Sequence, residues 1–230
     1  MKAYDTGLIC GRFQTFHKGH ERLVDTGLLL CDRLLILIGS AQECGTERNP
    51  FNINTRTKIL KEIYGDRPEV MIYGLADLTD ENDIRPEWGR YLLNNTDRYI
   101  HKNPEIMIYG NDESRSNWFD KKDLANTAEL IMNRYDMPIS ATMVRTAMAK
   151  DDRKLWMSYV NPRLHKMYDE LREELMTVGF YKNLAKEWYI NIKKTMIVIV
   201  IMTDKIGQMF NYKAWLKELI WIIKQLYRIW

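Results

Sequence analysis

The stretch that decides the fold of this chain is Gly11-Arg12-Phe13-Gln14-Thr15-Phe16-His17-Lys18-Gly19-His20. It follows the apolar run 8–10 and precedes residues 18–31, in which apolar side chains recur at helical spacing. A strand, a glycine-containing turn and a helix N-terminus in this order form an anion site. The reason is that the first amides of a helix lack partners and the helix dipole is positive there. The sequence therefore predicts a phosphate-binding turn.

Two histidines of this turn, His17 and His20, lie three residues apart and share the first turn of the predicted helix. Both rings can face one phosphate, and we predict that both are catalytic; each taken alone would be an ordinary surface or capping residue. The remaining predicted nucleotide contacts in the turn are Gly11, Arg12, Phe13, Gln14 and Gly19. Gly19 is expected to let the backbone approach phosphate without a Cβ in the way.

A second motif with matching chemistry lies far downstream, at Ile139-Ser140-Ala141-Thr142-Met143-Val144-Arg145. Ser140 and Thr142 suit the cap of a helix that begins near Met143, and we predict that both contact nucleotide. Arg145 can clasp the outer phosphates of a triphosphate through two N–H groups, and it is the third predicted catalytic residue. A structural cap with a solvated arginine is the alternative.

The pattern of apolar runs predicts an α/β fold, a doubly wound parallel sheet of about five strands with a C-terminal helical extension. The predicted strands are 7–10, 34–38, 70–73, 106–109 and a weaker one near 135–137. The predicted helices are 18–31, 54–64, 87–99, 122–133, 142–149 and 163–178. Ligands of such sheets bind beyond the carboxyl ends of the strands. Gly110 and Asn111, which follow the fourth strand, are therefore predicted to contact nucleotide.

Composition is that of an ordinary globular protein, with 46% hydrophobic and 28% charged residues. A net charge of +3 is too small to indicate nucleic-acid binding. Three cysteines fit neither a zinc spacing nor a disulfide framework, and with no signal peptide recognisable they favour a reduced, cytoplasmic chain. The longest apolar run is far shorter than the ~20 residues that span a bilayer.

The two motifs together resemble the signatures of the HxGH nucleotidyltransferases, which have a Rossmann-like fold. Within that superfamily, residues 39–42, Asn49-Pro50-Phe51 and Arg56 are similar in order and spacing to the archaeal-type nicotinamide-mononucleotide adenylyltransferases. That branch includes forms fused to a Nudix hydrolase. The resemblance covers roughly residues 4–149, and it extends to the helix that ends near 182. Thr15 departs from it, since the family has proline there.

The resemblance implies an acceptor site as well as an ATP site. It implies that Arg56 contacts the mononucleotide and that Trp88 stacks on nicotinamide, whose cationic ring an indole face attracts. Ser40, Gln42 and Asn49 are the other residues implied for the mononucleotide. A tryptophan at the start of a helix can equally be a core residue. The acidic stretch 77–83 aligns only loosely with the family's pattern and places no contact.

The resemblance implies transfer of AMP from ATP to nicotinamide mononucleotide, which gives NAD and pyrophosphate. Magnesium would accompany the ATP, and no protein metal ligands are predicted. Two alternatives remain open. One is an enzyme of the same superfamily that uses pantetheine phosphate or flavin mononucleotide as acceptor. The other is a nucleotide-sensing binding protein without turnover.

The last part of the chain, 183–230, is predicted to be separate from the nucleotidyltransferase domain, 1–182. Residues 185–230 carry eight basic and three acidic side chains. A fused relative would start its Nudix domain near Lys193, with 195–202 as a first strand, but the Nudix signature is absent. Residues 211–230 instead read as a basic amphipathic helix with Trp215, Leu219 and Ile222 on its apolar face. It is expected to pack on the body or on a second copy in a homo-oligomer, and membrane contact is the alternative.

Overall fold

The computed structural model describes residues 1–78, 86–110, 118–133, 135 and 137–207, and the side chains within these ranges except Pro86 and 196–207. Strands and helices alternate through the first half of the chain, and helices follow one another in the second. The strands are β1 (Tyr4–Gly11), β2 (Cys31–Ile38), β3 (Val70–Gly74), β4 (Ile106–Tyr109) and β5 (Ala128–Ile131). The helices are α1 (Lys18–Leu30), α2 (Ile53–Tyr64), α3 (Pro86–Ile100), α4 (Ala141–Ala149), α5 (Arg153–Tyr159), α6 (Tyr168–Leu175) and α7 (Gly179–Gly207), with a 3₁₀ helix at Pro162–Met167.

The five strands form one parallel sheet in the order β3-β2-β1-β4-β5. The chain moves outward from β1 to β3 and then returns to the other side of β1 with β4. Strand order therefore reverses between β1 and β4, and in open parallel sheets this switch point opens a crevice at the carboxyl ends of the strands. Gly11 ends β1 at that point, and Gly110 directly follows β4.

Helices cover both faces of the sheet, which explains why its central strands read as unbroken apolar runs. Successive side chains of β2 alternate between two cores: Leu34 and Ile36 belong to the larger one, and Leu35 and Leu37 to the smaller. The larger core contains residues of α1, α2 and α4 to α7, and the smaller is built on α3. The doubly wound α/β fold predicted from the sequence is confirmed.

The fifth strand was predicted wrongly. The structure has turns and then β5 at Ala128–Ile131 where we expected a helix over 122–133, and 135–137 forms no strand in its described residues. Ala128 and Leu130 are half-buried, whereas Glu129 and Ile131 are exposed; because the exposed Ile131 is apolar, the sequence lacks the apolar–polar alternation that would have marked the strand. Pairing with β4, in the register Ile106 to Ala128, decides its conformation.

The C-terminal half contains more helices than the sequence indicated. The helix expected over 163–178 is a 3₁₀ helix followed by α6, which ends at Leu175, and α5 was not predicted. Residues 195–202, a possible first strand, lie inside α7. The division proposed at 182/183 also falls within this uninterrupted helix, so a separate unit at 183–230 stays a prediction. The predicted amphipathic helix 211–230 lies outside the described residues.

Within the part of the chain that the structure describes, no helix is both long enough and apolar enough to cross a bilayer. The described part of α7 packs on the body through its first turns. Tyr181 is buried in the larger core, and Leu184 packs against it. One turn later, the Lys150 Nζ lies 4.4 Å from the centre of the Trp188 ring.

Candidate functional site

A cavity of about 830 Å³ opens at the switch point of the sheet. Its walls come from the turn after β1, the start of α1, the loop between β2 and α2, the ends of β4 and β5, α4, and the first turns of α7. The predicted nucleotide and catalytic residues that line it are Gly11, Arg12, Phe13, Gln14, His17, Gly19, His20, Gly110, Ser140, Thr142 and Arg145. The structure thus brings together residues that are up to 134 positions apart in the sequence. Asn111 lies outside the described residues.

The two histidines stack on each other with ring centres 3.8 Å apart. His17 is the N-cap of α1, and its Nδ1 accepts a hydrogen bond of 3.1 Å from the amide of Gly19. A neutral imidazole that accepts at Nδ1 carries its proton at Nε2, so His17 presents Nε2 as a donor. Phe13 packs edge-on to the His20 ring at 5.1 Å and limits its rotation.

Three amides in the first turn of α1 are used within the helix, in contrast to the expectation that first-turn amides would meet phosphate. The Gly19 N–H donates to the His17 ring, and the N–H groups of His20 and Glu21 donate to the His17 carbonyl at 2.8 and 3.0 Å. A Cβ on Gly19 would lie 2.9 Å from the His17 ring, so the glycine makes room for that ring. The field of the helix dipole stays positive at this end of α1.

Arg145 is buried and fixed by three segments of the chain. Ser140 caps α4 by accepting from the Met143 amide at 3.2 Å, which places Arg145 one turn into the helix. Its guanidinium donates to the Gln14 carbonyl, to the Tyr181 hydroxyl and, at 3.3 Å, to the Thr142 hydroxyl. The arginine lines the cavity while it is only 6% exposed, so its charge is poorly screened by water.

Gln14 lines the cavity, but its side-chain amide serves the fold. Its Nε2 donates to the Phe51 carbonyl at 2.9 Å, and its Oε1 accepts from the Phe51 amide at 2.9 Å. This two-way contact joins the turn after β1 to the loop that precedes α2. The backbone carbonyl of Gln14 holds Arg145, and nucleotide contact by Gln14 stays a prediction.

Cations dominate the wall of the cavity. Four arginines and two histidines line it, and Glu47 is the single acidic residue among the described ones there. Two of the arginines, Arg22 and Arg48, were not singled out from the sequence. Arg48 directly precedes the Asn49-Pro50-Phe51 element, and this position could have drawn attention to it. Arg22 belongs to no such motif, so the sequence gives no sign of its role. Such a concentration of positive charge suits a polyphosphate.

The residues implied for the mononucleotide are not gathered in this cavity. Arg56 has no exposed surface, and its guanidinium donates to the carbonyls of Gly39, Ser40 and Arg12 at 2.8, 2.9 and 3.0 Å. Burial lowers the pKa of Arg56 to about 10. In this structure Arg56 has no access to a ligand, and it instead holds the loop after β2 against the phosphate turn.

Ser40 and Gln42 form a small network with Asp77, just past the carboxyl ends of β2 and β3. Asp77 accepts from the Ser40 amide at 3.2 Å and from the Gln42 side chain at 3.3 Å, and its own amide donates back to Gln42 at 3.0 Å. Ser40 has a left-handed backbone with φ of 49°. The side-chain oxygen of Asn49 is buried with no hydrogen-bond partner. Mononucleotide contacts by these residues stay predictions.

Trp88 belongs to the smaller core. Only 8% of it is exposed, and its ring lies 5.1 Å from that of Trp118 and 6.3 Å from that of Tyr91. This environment fits the core-tryptophan alternative in the conformation described. Stacking on a nicotinamide would require at least one face of the indole to be uncovered.

The doubly wound α/β sheet, with a cationic cavity and a stacked histidine pair at its switch point, has the Rossmann-like architecture. A model of the cytidylyltransferase-like family matches residues 8–147, which include both motifs. The chain belongs to the cytidylyltransferase-like family.

Two archaeal proteins are among the relatives of this chain. The chain is 34% identical over 108 residues to a nicotinamide-nucleotide adenylyltransferase of Saccharolobus solfataricus, which covers 44% of this chain and 60% of that protein. It is 28% identical to a protein of the same name from Picrophilus torridus, over 71% of this chain and 89% of that one. The matched stretch thus spans about three fifths of the first relative and most of the second.

Solved structures share the fold. A bifunctional NMN adenylyltransferase/ADP ribose pyrophosphatase from Francisella tularensis superimposes with a TM-score of 0.61 at 21% identity. The match covers 90% of this chain and 57% of that one. At this level of identity the likeness supports the arrangement of strands and helices, in agreement with the sheet order described above.

Proposed function

We propose that this protein transfers the adenylyl group of ATP to nicotinamide mononucleotide, releasing pyrophosphate and forming NAD. The observation that carries the proposal is the cavity that the stacked His17–His20 pair and Arg145 line together. The names of the archaeal relatives supply the acceptor, since they are nicotinamide-nucleotide adenylyltransferases.

The reaction needs no protein base. The second ionisation of a phosphomonoester has a pKa of about 6, so the mononucleotide phosphate is largely dianionic at neutral pH. One of its oxygens forms a bond to the α-phosphorus of ATP while the bond from that phosphorus to the β-bridging oxygen breaks. Charge develops on the α-phosphoryl oxygens and on the departing pyrophosphate. Catalysis is then chiefly positioning and electrostatic stabilisation.

The chain's own residues fit these needs in distinct ways. His17 is set by its cap to donate from Nε2, and His20 is held against it by Phe13. Arg145 and the further lining arginines Arg12, Arg22 and Arg48 surround the charge of the triphosphate. Magnesium enters as part of the substrate, bound to the triphosphate, because it keeps several waters and uses few protein ligands. No cluster of three or more potential metal ligands occurs among the described side chains.

Two alternative functions differ from the proposal, one in the phosphate acceptor and the other in the absence of turnover. Pantetheine phosphate or flavin mononucleotide would serve the same phosphate chemistry with another group beyond the phosphate. A nucleotide sensor would bind ATP without turnover. The intact catalytic set favours the enzyme over the sensor, because groups that act mainly on the transition state are dispensable for binding.

An acceptor screen tests the proposal. The full chain is incubated with ATP, magnesium and each phosphate acceptor in turn, and pyrophosphate release is followed. We expect release with nicotinamide mononucleotide or its deamidated form, and the screen decides between these two. Release with pantetheine phosphate or flavin mononucleotide alone would replace the proposed acceptor, and ATP binding without release from any acceptor would favour the sensor.

A pair of arginine variants controls the screen. Arg145→Gln removes a cation that lines the cavity. Arg163→Gln removes an exposed arginine that does not line the cavity and that pairs with Asp66 at a distance of 3.2 Å. Activity that belongs to this site is lost in the first variant and kept in the second. Equal activity of the two would place the reaction elsewhere or in a contaminant.

A cytoplasmic location and a homo-oligomer belong to the proposal as well. Cys10, Cys31 and Cys44 form no disulfides. Burial raises the pKa of the Cys31 thiol to about 11, which keeps it protonated and unreactive. Free thiols of this kind fit a reducing compartment. The extension 183–230 is proposed to pack on the body or on a second copy.

A further inference from the structure

Tyr181 lies in the first turn of α7 and forms part of the cavity wall. It is only 2% exposed, and neither of the sequence motifs includes it. Its hydroxyl accepts a hydrogen bond from the Arg145 Nε and donates one of 2.8 Å to the Glu47 carbonyl. Since a carbonyl can only accept, the hydroxyl proton points to Glu47 and the oxygen lone pairs point to the guanidinium.

The hydroxyl completes the set of anchors that orient Arg145. Its Nη1 is held by the Gln14 carbonyl and its Nη2 by Thr142, so Nε is the third fixed point of a planar group. Burial raises the pKa of Tyr181, so its hydroxyl stays protonated through neutral and mildly alkaline pH. Without the hydroxyl, a buried Nε–H would lose its acceptor and the guanidinium could turn about its last bonds.

The same hydroxyl reaches the loop between β2 and α2. Glu47 is followed by Arg48, which also lines the cavity. One side chain of α7 therefore holds two cationic walls at once, Arg145 directly and Arg48 through the backbone of its neighbour. The Arg145 guanidinium carbon also lies 6.0 Å from the centre of the Tyr181 ring.

We propose that Tyr181 is a positioning residue of the nucleotide site, which sets the orientation of Arg145 toward the triphosphate and ties Arg48's loop to it. The inference rests on the proposed function: its affinity part needs only the ATP site, and its kinetic part needs the transfer reaction as well. It makes α7 a structural component of the active site, since the first turn of that helix carries the hydroxyl.

Tyr181→Phe tests the proposal, because it removes the hydroxyl and keeps the buried ring. The matched control is Tyr168→Phe: Tyr168 is 1% exposed, its hydroxyl donates to Asp151 at 2.7 Å, and it does not line the cavity. We expect both variants to melt slightly lower than the wild type. Only Tyr181→Phe should lose ATP affinity, about tenfold by calorimetry with magnesium present, as for loss of a hydrogen bond to a charged group.

Kinetics give a second readout. Where transfer occurs, kcat of Tyr181→Phe should fall by about 10- to 100-fold, the order seen when a catalytic group is misplaced by ~1 Å. In an Arg145→Lys background, which lacks the planar fork, the hydroxyl has nothing to orient. Tyr181→Phe should then cause little further loss, so the two changes are strongly non-additive.

Each outcome decides one of the two proposals. The positioning role would be overturned if Tyr181→Phe had the same ATP affinity and kcat as Tyr168→Phe. It would also be overturned if the losses in kcat caused by Tyr181→Phe and Arg145→Lys were fully additive. A wild type that binds ATP but forms no dinucleotide would overturn the proposed reaction, while the affinity comparison would still judge Tyr181. If Tyr181→Phe fails to fold, a fluorinated tyrosine at this position weakens the acceptor, and unchanged ATP affinity in that protein would equally overturn the role.

Discussion

His17 illustrates how one residue serves both fold and chemistry. Its ring ends the turn after β1 by capping α1, and the same hydrogen bond from Gly19 decides which ring nitrogen is left to donate. His20 has no capping role and stacks on His17 at 3.8 Å. The two histidines of the motif are therefore not equivalent: replacing His17 changes the helix start, whereas replacing His20 removes a ring that packs on Phe13 and Phe16 beside the cavity.

We predict that His20→Ala lowers turnover much more than it weakens ATP binding. Loss of one preorganised donor to a developing charge typically reduces kcat by about 10²–10³-fold. Steady-state kinetics and calorimetry with ATP measure the two effects separately. His101→Asn is the control, because His101 is exposed with φ of 58°, a conformation that asparagine tolerates. Near-normal turnover with a sharply raised KM for ATP would contradict a transition-state role for His20.

At this scale the sequence marked residues that the structure gathers around one cavity, but it did not reveal what two of the predicted contact residues bind in the folded chain. Gln14 and Arg56 look like ligand contacts because they lie in the right motifs, yet both bind backbone groups of the neighbouring loop. Tyr181 contacts Arg145 from 36 positions away. No spacing rule joins residues of separate elements, so such contacts become visible only in the folded chain.

Among the elements, the amino ends of three strands are tied together by one carboxylate. Asp5 on β1 pairs with Arg33 on β2 at 2.9 Å and with Lys102, ahead of β4, at 2.8 Å. Hydrogen bonds from Arg33 and then from Lys102 lower the pKa of Asp5 from 3.8 to about 2. The unfolded chain therefore binds this proton more readily than the folded one.

We predict that Asp5→Asn reduces the acid sensitivity of the fold. A lowered carboxyl pKa contributes stability that is present above the unfolded value and is lost as pH falls from 3.8 to about 2. The free energy of unfolding of wild type and variant should differ above about pH 5 and converge near pH 2. Urea denaturation over this range measures it. Parallel curves for the two proteins would show that Asp5 does not contribute to the pH dependence.

The position of Trp88 on α3 leads to a prediction about stability. Its ring packs against Trp118 in the smaller core, so Trp88→Ala should lower the free energy of unfolding by about 3–5 kcal/mol, as for other core tryptophans. Chemical denaturation measures this loss of stability. Binding of ATP and of nicotinamide mononucleotide to the folded variant shows whether either affinity changes as well. A selective loss of mononucleotide affinity without destabilisation would instead support stacking on the pyridine ring.

Elements that are long and periodic were predictable, whereas short ones at the edge of the sheet were not. The buried strands β1, β2 and β4 show unbroken apolar runs because both of their faces are covered. β5 is a four-residue edge strand with alternate side chains exposed, and its apolar residues also fit a helical pattern. Its conformation comes from pairing with β4, which is information that the local sequence does not contain.

For the whole molecule, the separation of site and extension can be tested by two truncations. Among the residues that the structure describes, all those that line the cavity lie at or before Leu184. A chain that ends after Thr195 should therefore keep its kcat per folded molecule. A chain that ends after Val178 loses Phe180, Tyr181 and Leu184, and it should lose both stability and most of its activity. Pyrophosphate release and thermal unfolding are measured on both.

Activity, melting temperature and elution volume of the two truncated proteins each test a different role of the C-terminal residues. Full activity in the shorter chain would show that α7 is dispensable for the site. Loss of activity in the longer chain, with its melting temperature unchanged, would show that residues beyond Thr195 take part in the reaction. A change of elution volume in the longer truncated chain, relative to the full chain, would assign the residues beyond Thr195 to subunit contact.

Arg56 has one more consequence for the molecule. A positive charge enclosed by backbone carbonyl oxygens is the arrangement by which many proteins hold a calcium ion. Here the charge is carried by a side chain, and at a pKa of about 10 it persists at neutral pH. In the loop after β2, the guanidinium of Arg56 therefore takes the place that a structural metal ion has in such proteins, and it is covalently part of the chain. Chelators cannot remove it, so chelation that stops catalysis by sequestering magnesium would leave the architecture of the cavity intact.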